Sequence, residues 1–120
     1  MATLEPHQTR FRWRDYRSAP GARPVADFID HLGDEEAAAV LAAMKHVARL
    51  GLRCARHLRG EIWEVRVDAA QRSFRLLFAQ ETKFILLSLS GFVKKTQRTP
   101  TTEIALALAR LKDWRSRRRP

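Results

Sequence analysis

The segment SGFVKKTQRTP, residues 90–100, sets Lys94 and Lys95 side by side where an apolar run gives way to Thr-Pro and a helical pattern. Two earlier stretches, EIWEVRV (61–67) and RSFRLLFA (72–79), alternate apolar and polar residues as half-buried strands do. Paired with each other, they put Trp63, Val65 and Val67 on one face with Phe74, Leu76 and Phe78. The opposite face then holds Ile62, Glu64 and Arg66 against Ser73, Arg75 and Leu77. Arg66, Arg75, Lys94 and Lys95 thus gather with Glu64 beside one sheet surface.

Those residue types suit phosphate chemistry without a metal. RNA carries its own nucleophile, the 2′-hydroxyl. Its cleavage needs a base for that hydroxyl, cations for charge developing on the phosphate, and an acid for the leaving 5′-oxygen. Arginine offers a rigid fork of donors that stays protonated. Lysine releases its proton when burial or neighbouring cations lower its pKa. Glu64 has two readings: an alternative base, or a carboxylate that orients Arg66 and Arg75. A plain solvated face with cross-strand ion pairs would show a similar pattern. Ile62 and Leu77 share that face, however, which calls for cover by the last helix or by a partner. Arg56, His57, Arg59, Arg72 and Arg98 flank the cluster and complete the candidate RNA-contact set.

Other chemistries lack their signatures. His7, His31, His46 and His57 show no paired ligand spacing, and neither CxxC nor HExxH occurs. Glycine-rich phosphate loops and serine-triad motifs are absent from the sequence, so no cofactor and no metal are expected. Cys54 is the only cysteine and cannot form an internal disulfide, which fits a reducing, cytoplasmic setting. No apolar run reaches the roughly 18 residues of a membrane helix, and residues 1–13 lack a secretory apolar core, so no membrane partner is expected.

The elements that must position the cluster follow from period and punctuation. Residues 11–16 begin by alternating, with Phe11 and Trp13 on one face, and read as a short strand. Pro24 opens a short helix with Val25, Phe28, Ile29 and Leu32 on one side, and Gly33 ends it. Asp34 is expected to cap a second helix, with Glu35 and Glu36 in its first turn, a stripe of Val40, Leu41, Met44, Val47 and Ala48, and Gly51 as its stop. Three strands follow at 61–67, 72–79 and 83–93 as an antiparallel meander. Thr99 is expected to cap a last helix carrying Ile104, Leu108 and Leu111. The order predicts an α+β fold: an N-terminal strand and helical hairpin packed on an antiparallel sheet, with a C-terminal helix. At 120 residues the chain reads as a single domain over 1–120, with 1–10 and 115–120 as loose ends.

Charge is uneven. Residues 1–52 hold seven Lys and Arg against seven Asp and Glu; residues 53–120 hold sixteen against six and carry the whole net charge of +10. A basic half on a neutral half points to a polyanion partner, nucleic acid above all. An arginine-rich surface without such a partner is the plainer alternative.

The stretches HLRGEIWEVRV, SFRLLFA and LSGFVKKTQRTPTTEIALALARL resemble the HigB-like, phage-derived branch of the RelE/ParE toxin superfamily over residues 11–114. The resemblance implies a toxin of a type II toxin–antitoxin pair that enters the ribosomal A site and cleaves mRNA, inhibiting translation. It implies a helix-turn-helix antitoxin as partner, with operator DNA bound only through the complex; the apolar pair Ile62 and Leu77 makes their face the hypothetical seat of an inhibiting antitoxin segment. By position, Arg66, Arg75, Lys94 and Lys95 match the family's basic residues and Glu64 its acidic neighbour. This chain departs in carrying Ser90 before Gly91-Phe92 where relatives often have histidine, and Phe74 where they often have tyrosine. Tyr16 is its only tyrosine. Other superfamily members poison DNA gyrase, so a non-catalytic binder of gyrase, RNA or an operon complex is the alternative.

Overall fold

The computed structural model describes residues 10–117. Its elements are β1 (Arg12–Asp15), α1 (Pro24–Asp30), α2 (Asp34–Leu50), β2 (Arg56–Arg59), β3 (Ile62–Ala69), β4 (Arg72–Gln80), β5 (Ile85–Val93) and α3 (Thr101–Arg117), with a 3₁₀ turn at Leu52–Cys54. The strands form one sheet in the order β1-β5-β4-β3-β2. The architecture is the α+β arrangement the sequence predicts.

The sheet is sandwiched. On one face α1 and α2 bury Val25, Val40 and Val47 against Val65, Val67, Phe74, Leu76, Phe78 and Leu86. On the other, α3 buries Ile104, Ala107 and Leu111 against Ile62, Leu77, Ala79, Leu87 and Leu89. Both β4 and β5 are interior strands buried along most of their length, although residues 72–79 read as an alternating, half-buried strand. Ile62 and Leu77 are fully buried beneath α3. In the isolated chain the last helix is therefore what covers that face.

Two features of the sheet differ from the expected antiparallel meander. The N-terminal strand β1 runs parallel to β5, pairing Arg12 with Ile85 and Asp15 with Ser88, so the sheet is mixed. Its apolar side faces the helical hairpin. Trp13 packs edge-on to Phe78 on the hairpin side and donates its indole N–H to Met44 O at 2.8 Å. The second difference is β2, which the sequence leaves unassigned. RHLR has no apolar alternation, yet it pairs antiparallel with β3 as an edge strand through an irregular step between His57 and Arg59.

Local rules explain the remaining elements. Pro24 begins α1, where a missing N–H costs nothing. Gly33, rather than Asp34, occupies the N-cap position of α2, and the Glu36 carboxylate accepts the Gly33 N–H. Gly51 ends α2 at φ +85°, with its N–H on Val47 O at 2.7 Å. Gly91 is required by packing: a Cβ there would lie 2.5 Å from the Phe28 ring of α1. The β3–β4 connection is a two-residue turn, Ala70-Gln71, with both residues at positive φ.

The expected loose ends are partly corrected. Arg10 and Phe11 both donate backbone N–H groups to Ala48 O, and residues 1–9 lie outside the described residues. Residues 115–117 belong to α3. Arg115 bridges Glu61 of the β2–β3 turn and Glu81 of the β4–β5 loop, and Arg117 pairs with Asp113 one turn earlier in the same helix. Residues 118–120 lie outside the described residues.

Candidate functional site

The register of the sheet builds the site. Glu64 on β3 faces Arg56 on β2 and Leu77 on β4, and Leu77 faces Ser90 on β5. The next row on the same face holds Arg66, Arg75 and Phe92. Beyond β5, the Lys94 N–H donates to Ser73 O at 2.8 Å, which extends the ladder by one step and brings the lysine to the same corner. Arg56, Arg66, Arg75 and Lys94 therefore surround one carboxylate, just past the point where α3 stops covering the sheet.

Glu64 is the hub, with its side chain fully buried. Its Oε1 accepts Arg66 Nε–H at 3.4 Å, while Arg66 itself is half exposed. Its Oε2 lies 3.8 Å from Arg75 Nε, and the Arg75 side chain retains only 5% exposure. Arg75 donates from Nη1 to Phe74 O at 2.9 Å, but its buried Nε–H has no partner. The same Oε2 accepts the hydroxyl of Thr99, in the segment leading into α3.

Thr99 was expected to be the α3 cap. The helix instead begins at Thr101, and Pro100 O accepts the N–H groups of Glu103 and Ile104 at 3.0 and 3.2 Å. Pro100 is thus the half-in residue at the helix start, and the Thr99 hydroxyl is turned onto Glu64. Glu103 in the first turn accepts the Ser90 hydroxyl at 2.7 Å, fixing the helix start to β5 beside the cluster.

The charges act on one another. Burial, with help from Arg66 and Arg56 against the opposing pull of Glu64 and Asp68, lowers the Arg75 pKa from its usual value. The Lys94 ammonium is also pushed down, first by loss of solvent and then by Arg75 and Arg66; Glu64 opposes this. Lys94 is thereby the group of the corner best prepared to give up a proton.

The other sequence candidates are placed apart from this corner or at its rim. Lys95 and Arg98 are exposed in the segment between β5 and α3. Arg59 is exposed at the end of β2. His57 pairs with Trp63, packs edge-on to its ring and donates from Nε2 to Gly60 O at 2.7 Å, on the face away from Glu64. Arg72 shares the face of Phe74, lies over that ring, and makes two 2.8 Å bonds to Glu36 of α2. The strand period itself puts Arg72 with Phe74, so this placement is readable from the alternation. The Thr99 contact has no comparable local signal. Among the described residues, no three His, Cys, Asp or Glu side chains come together as a metal site, and no helix is long and apolar enough to cross a membrane.

Residues 27–112 match the family described as Phage derived protein Gp49-like (DUF891). The chain belongs to this Gp49-like, phage-derived family. It is also 34% identical over 106 residues to "Probable endoribonuclease HigB1" of Mycobacterium tuberculosis, in strain CDC 1551 / Oshkosh and in strain ATCC 25618 / H37Rv. The alignment covers 86% of this chain and 84% of either relative. The HigB-like resemblance read from the sequence is thus borne out. In this Gp49-like chain the matched span runs from α1 almost to the end of α3, so it includes every residue of the Glu64 corner.

Proposed function

We propose that this HigB-like protein is the toxin of a toxin–antitoxin pair and an endoribonuclease that cleaves mRNA in the ribosomal A site, acting in the cytoplasm. The observation that carries the reading is the convergence of Arg56, Arg66, Arg75 and Lys94 around buried Glu64 in a chain of this family. Lys94, with its lowered pKa, accepts the proton of the RNA 2′-hydroxyl. The 2′-oxygen attacks phosphorus, the bond to the 5′-oxygen breaks, and that oxygen leaves as a hydroxyl with a proton from water. The products are a 2′,3′-cyclic phosphate and a 5′-hydroxyl. Arg75 and Arg66 stabilise the charge growing on the phosphate, and Lys95 and Arg98 at the rim attract the strand. Glu64 orients the two arginines rather than acting as base, since both of its oxygens are already engaged.

The partner is a helix-turn-helix antitoxin, through which alone the complex contacts operator DNA. Induced expression, with transcripts followed by primer extension, tests the reading. Wild type is expected to stop growth and to cut transcripts within their translated regions, and Arg75→Ala to do neither. Growth arrest with intact transcripts and inhibited gyrase would overturn it.

A further inference from the structure

Arg75 presents an anomaly. A buried charged N–H without a partner is costly, and native structures contain few such groups. The acceptor it lacks is close by: Glu64 Oε2 is 3.8 Å from Arg75 Nε, about 0.9 Å beyond an ordinary N–H···O distance. What holds that oxygen away is visible. Glu64 Oε2 is bonded to the Thr99 hydroxyl, and Oε1 is drawn towards Arg66. Thr99 in turn is anchored, because Pro100 next to it leads directly into α3, and α3 is fixed through Glu103 to Ser90 and through Arg110 Nη1 to Leu89 O at 2.7 Å.

We propose that Thr99 is a positioning residue that holds Glu64 off Arg75 and so keeps the Arg75 charge available to a phosphate group. A closer Glu64–Arg75 pair would satisfy the Arg75 Nε–H and leave the guanidinium less free to serve a phosphate. The hydroxyl works against this by drawing Oε2 towards the segment leading into α3, while Arg66 draws Oε1 the other way, so the carboxylate rests short of Arg75. The inference rests on the RNA-cleaving reading for its purpose, but the spacing itself is a property of the folded chain.

The test compares Thr99→Val, which keeps the shape and removes the hydroxyl, with Thr99→Ser, which keeps the hydroxyl. In a cell-free translation reaction, kcat for mRNA cleavage is expected to fall at least tenfold in Thr99→Val with KM little changed, and to recover in Thr99→Ser. Thermal stability of Thr99→Val should equal or exceed that of wild type, because Glu64 closes on Arg75. A merely structural hydroxyl would instead lower it. A second readout needs no RNA: inorganic phosphate is titrated while the Arg75 Nε–H signal is followed by nitrogen-15 NMR. Wild type and Thr99→Ser are expected to show a phosphate-induced shift that Thr99→Val loses. If wild type shifts with phosphate but cleaves no RNA, the positioning role stands and the ribonuclease reading falls. If Thr99→Val responds to phosphate as wild type does, or loses stability together with activity, the positioning role is overturned.

Discussion

Arg66 and Arg75 are directly opposed register partners on β3 and β4, two guanidinium groups on one face of the sheet. Like charges so placed destabilise a strand pair. The fold tolerates them through Glu64, which bonds one and lies 3.8 Å from the other. The arrangement concentrates positive charge where an anion can use it, and it makes Glu64 and Arg75 a buried pair whose halves depend on each other.

That dependence gives the first prediction. Arg75→Ala leaves the buried Glu64 carboxylate short of a partner and is expected to cost about 3 kcal/mol of stability. Arg75→Met combined with Glu64→Gln removes both charges and should recover most of that loss, measured by urea denaturation. Cleavage should stay absent in the double variant, because the cation that faces the phosphate is gone.

Lys94 gives a pH prediction. Its pKa is lowered by burial and by Arg75 and Arg66, so its neutral, proton-accepting form appears at lower pH than for an ordinary lysine. Cleavage should rise with pH through that lowered value and then level off. Lys94→Arg keeps the charge but cannot act as a base near neutrality; it should lose about 100-fold in rate and the rising limb together. A rate profile from neutral to alkaline pH checks both.

Glu36 and Arg72 give a stability prediction with a defined sign. The Arg72 hydrogen bonds pull the Glu36 pKa below its usual 4.5, so the folded state favours the ionised form. The resulting stability is present above that usual value and is lost as pH falls through the lowered folded value. Arg72→Ala should lower Tm at neutral pH, and the gap from wild type should close in acid. Cleavage should change little, since Arg72 lies on the face away from Glu64.

The positions of Arg72 and Glu64 also show what a sequence can carry. Period-two alternation is a local steric property, so it assigned Trp63, Val65 and Phe74 to one face and Glu64, Arg66 and Arg75 to the other without knowledge of the fold. It also placed Arg72 with Phe74, although proximity in sequence suggested a role beside the cluster. What alternation cannot report is tertiary choice. β2 forms because β3 has an open edge, not because RHLR favours a strand. The parallel pairing of β1 depends on β5, more than seventy residues away. Thr99 looked like a helix cap because Thr-Pro before a helix usually is one; only the fold brings Glu64 within its reach.

The hairpin turn offers a stabilising change. Ala70 and Gln71 stand at φ +50° and +67°, where side chains are strained. Gln71→Gly should raise stability by about 1 kcal/mol, read as a higher urea midpoint with an unchanged slope. Gly91→Ala should do the opposite by about 1–3 kcal/mol, because its methyl would meet the Phe28 ring. Phe28→Leu should recover part of that loss.

The most direct measurement of the central claim is the chemistry of the cut ends. An mRNA is translated in a reconstituted system with the purified protein, and the fragments are identified by mass spectrometry. The account predicts upstream fragments ending in a 2′,3′-cyclic phosphate and downstream fragments beginning with a 5′-hydroxyl, with no cutting by Arg75→Ala. Fragments carrying a 5′-phosphate, or undiminished cutting by Arg75→Ala, would contradict it.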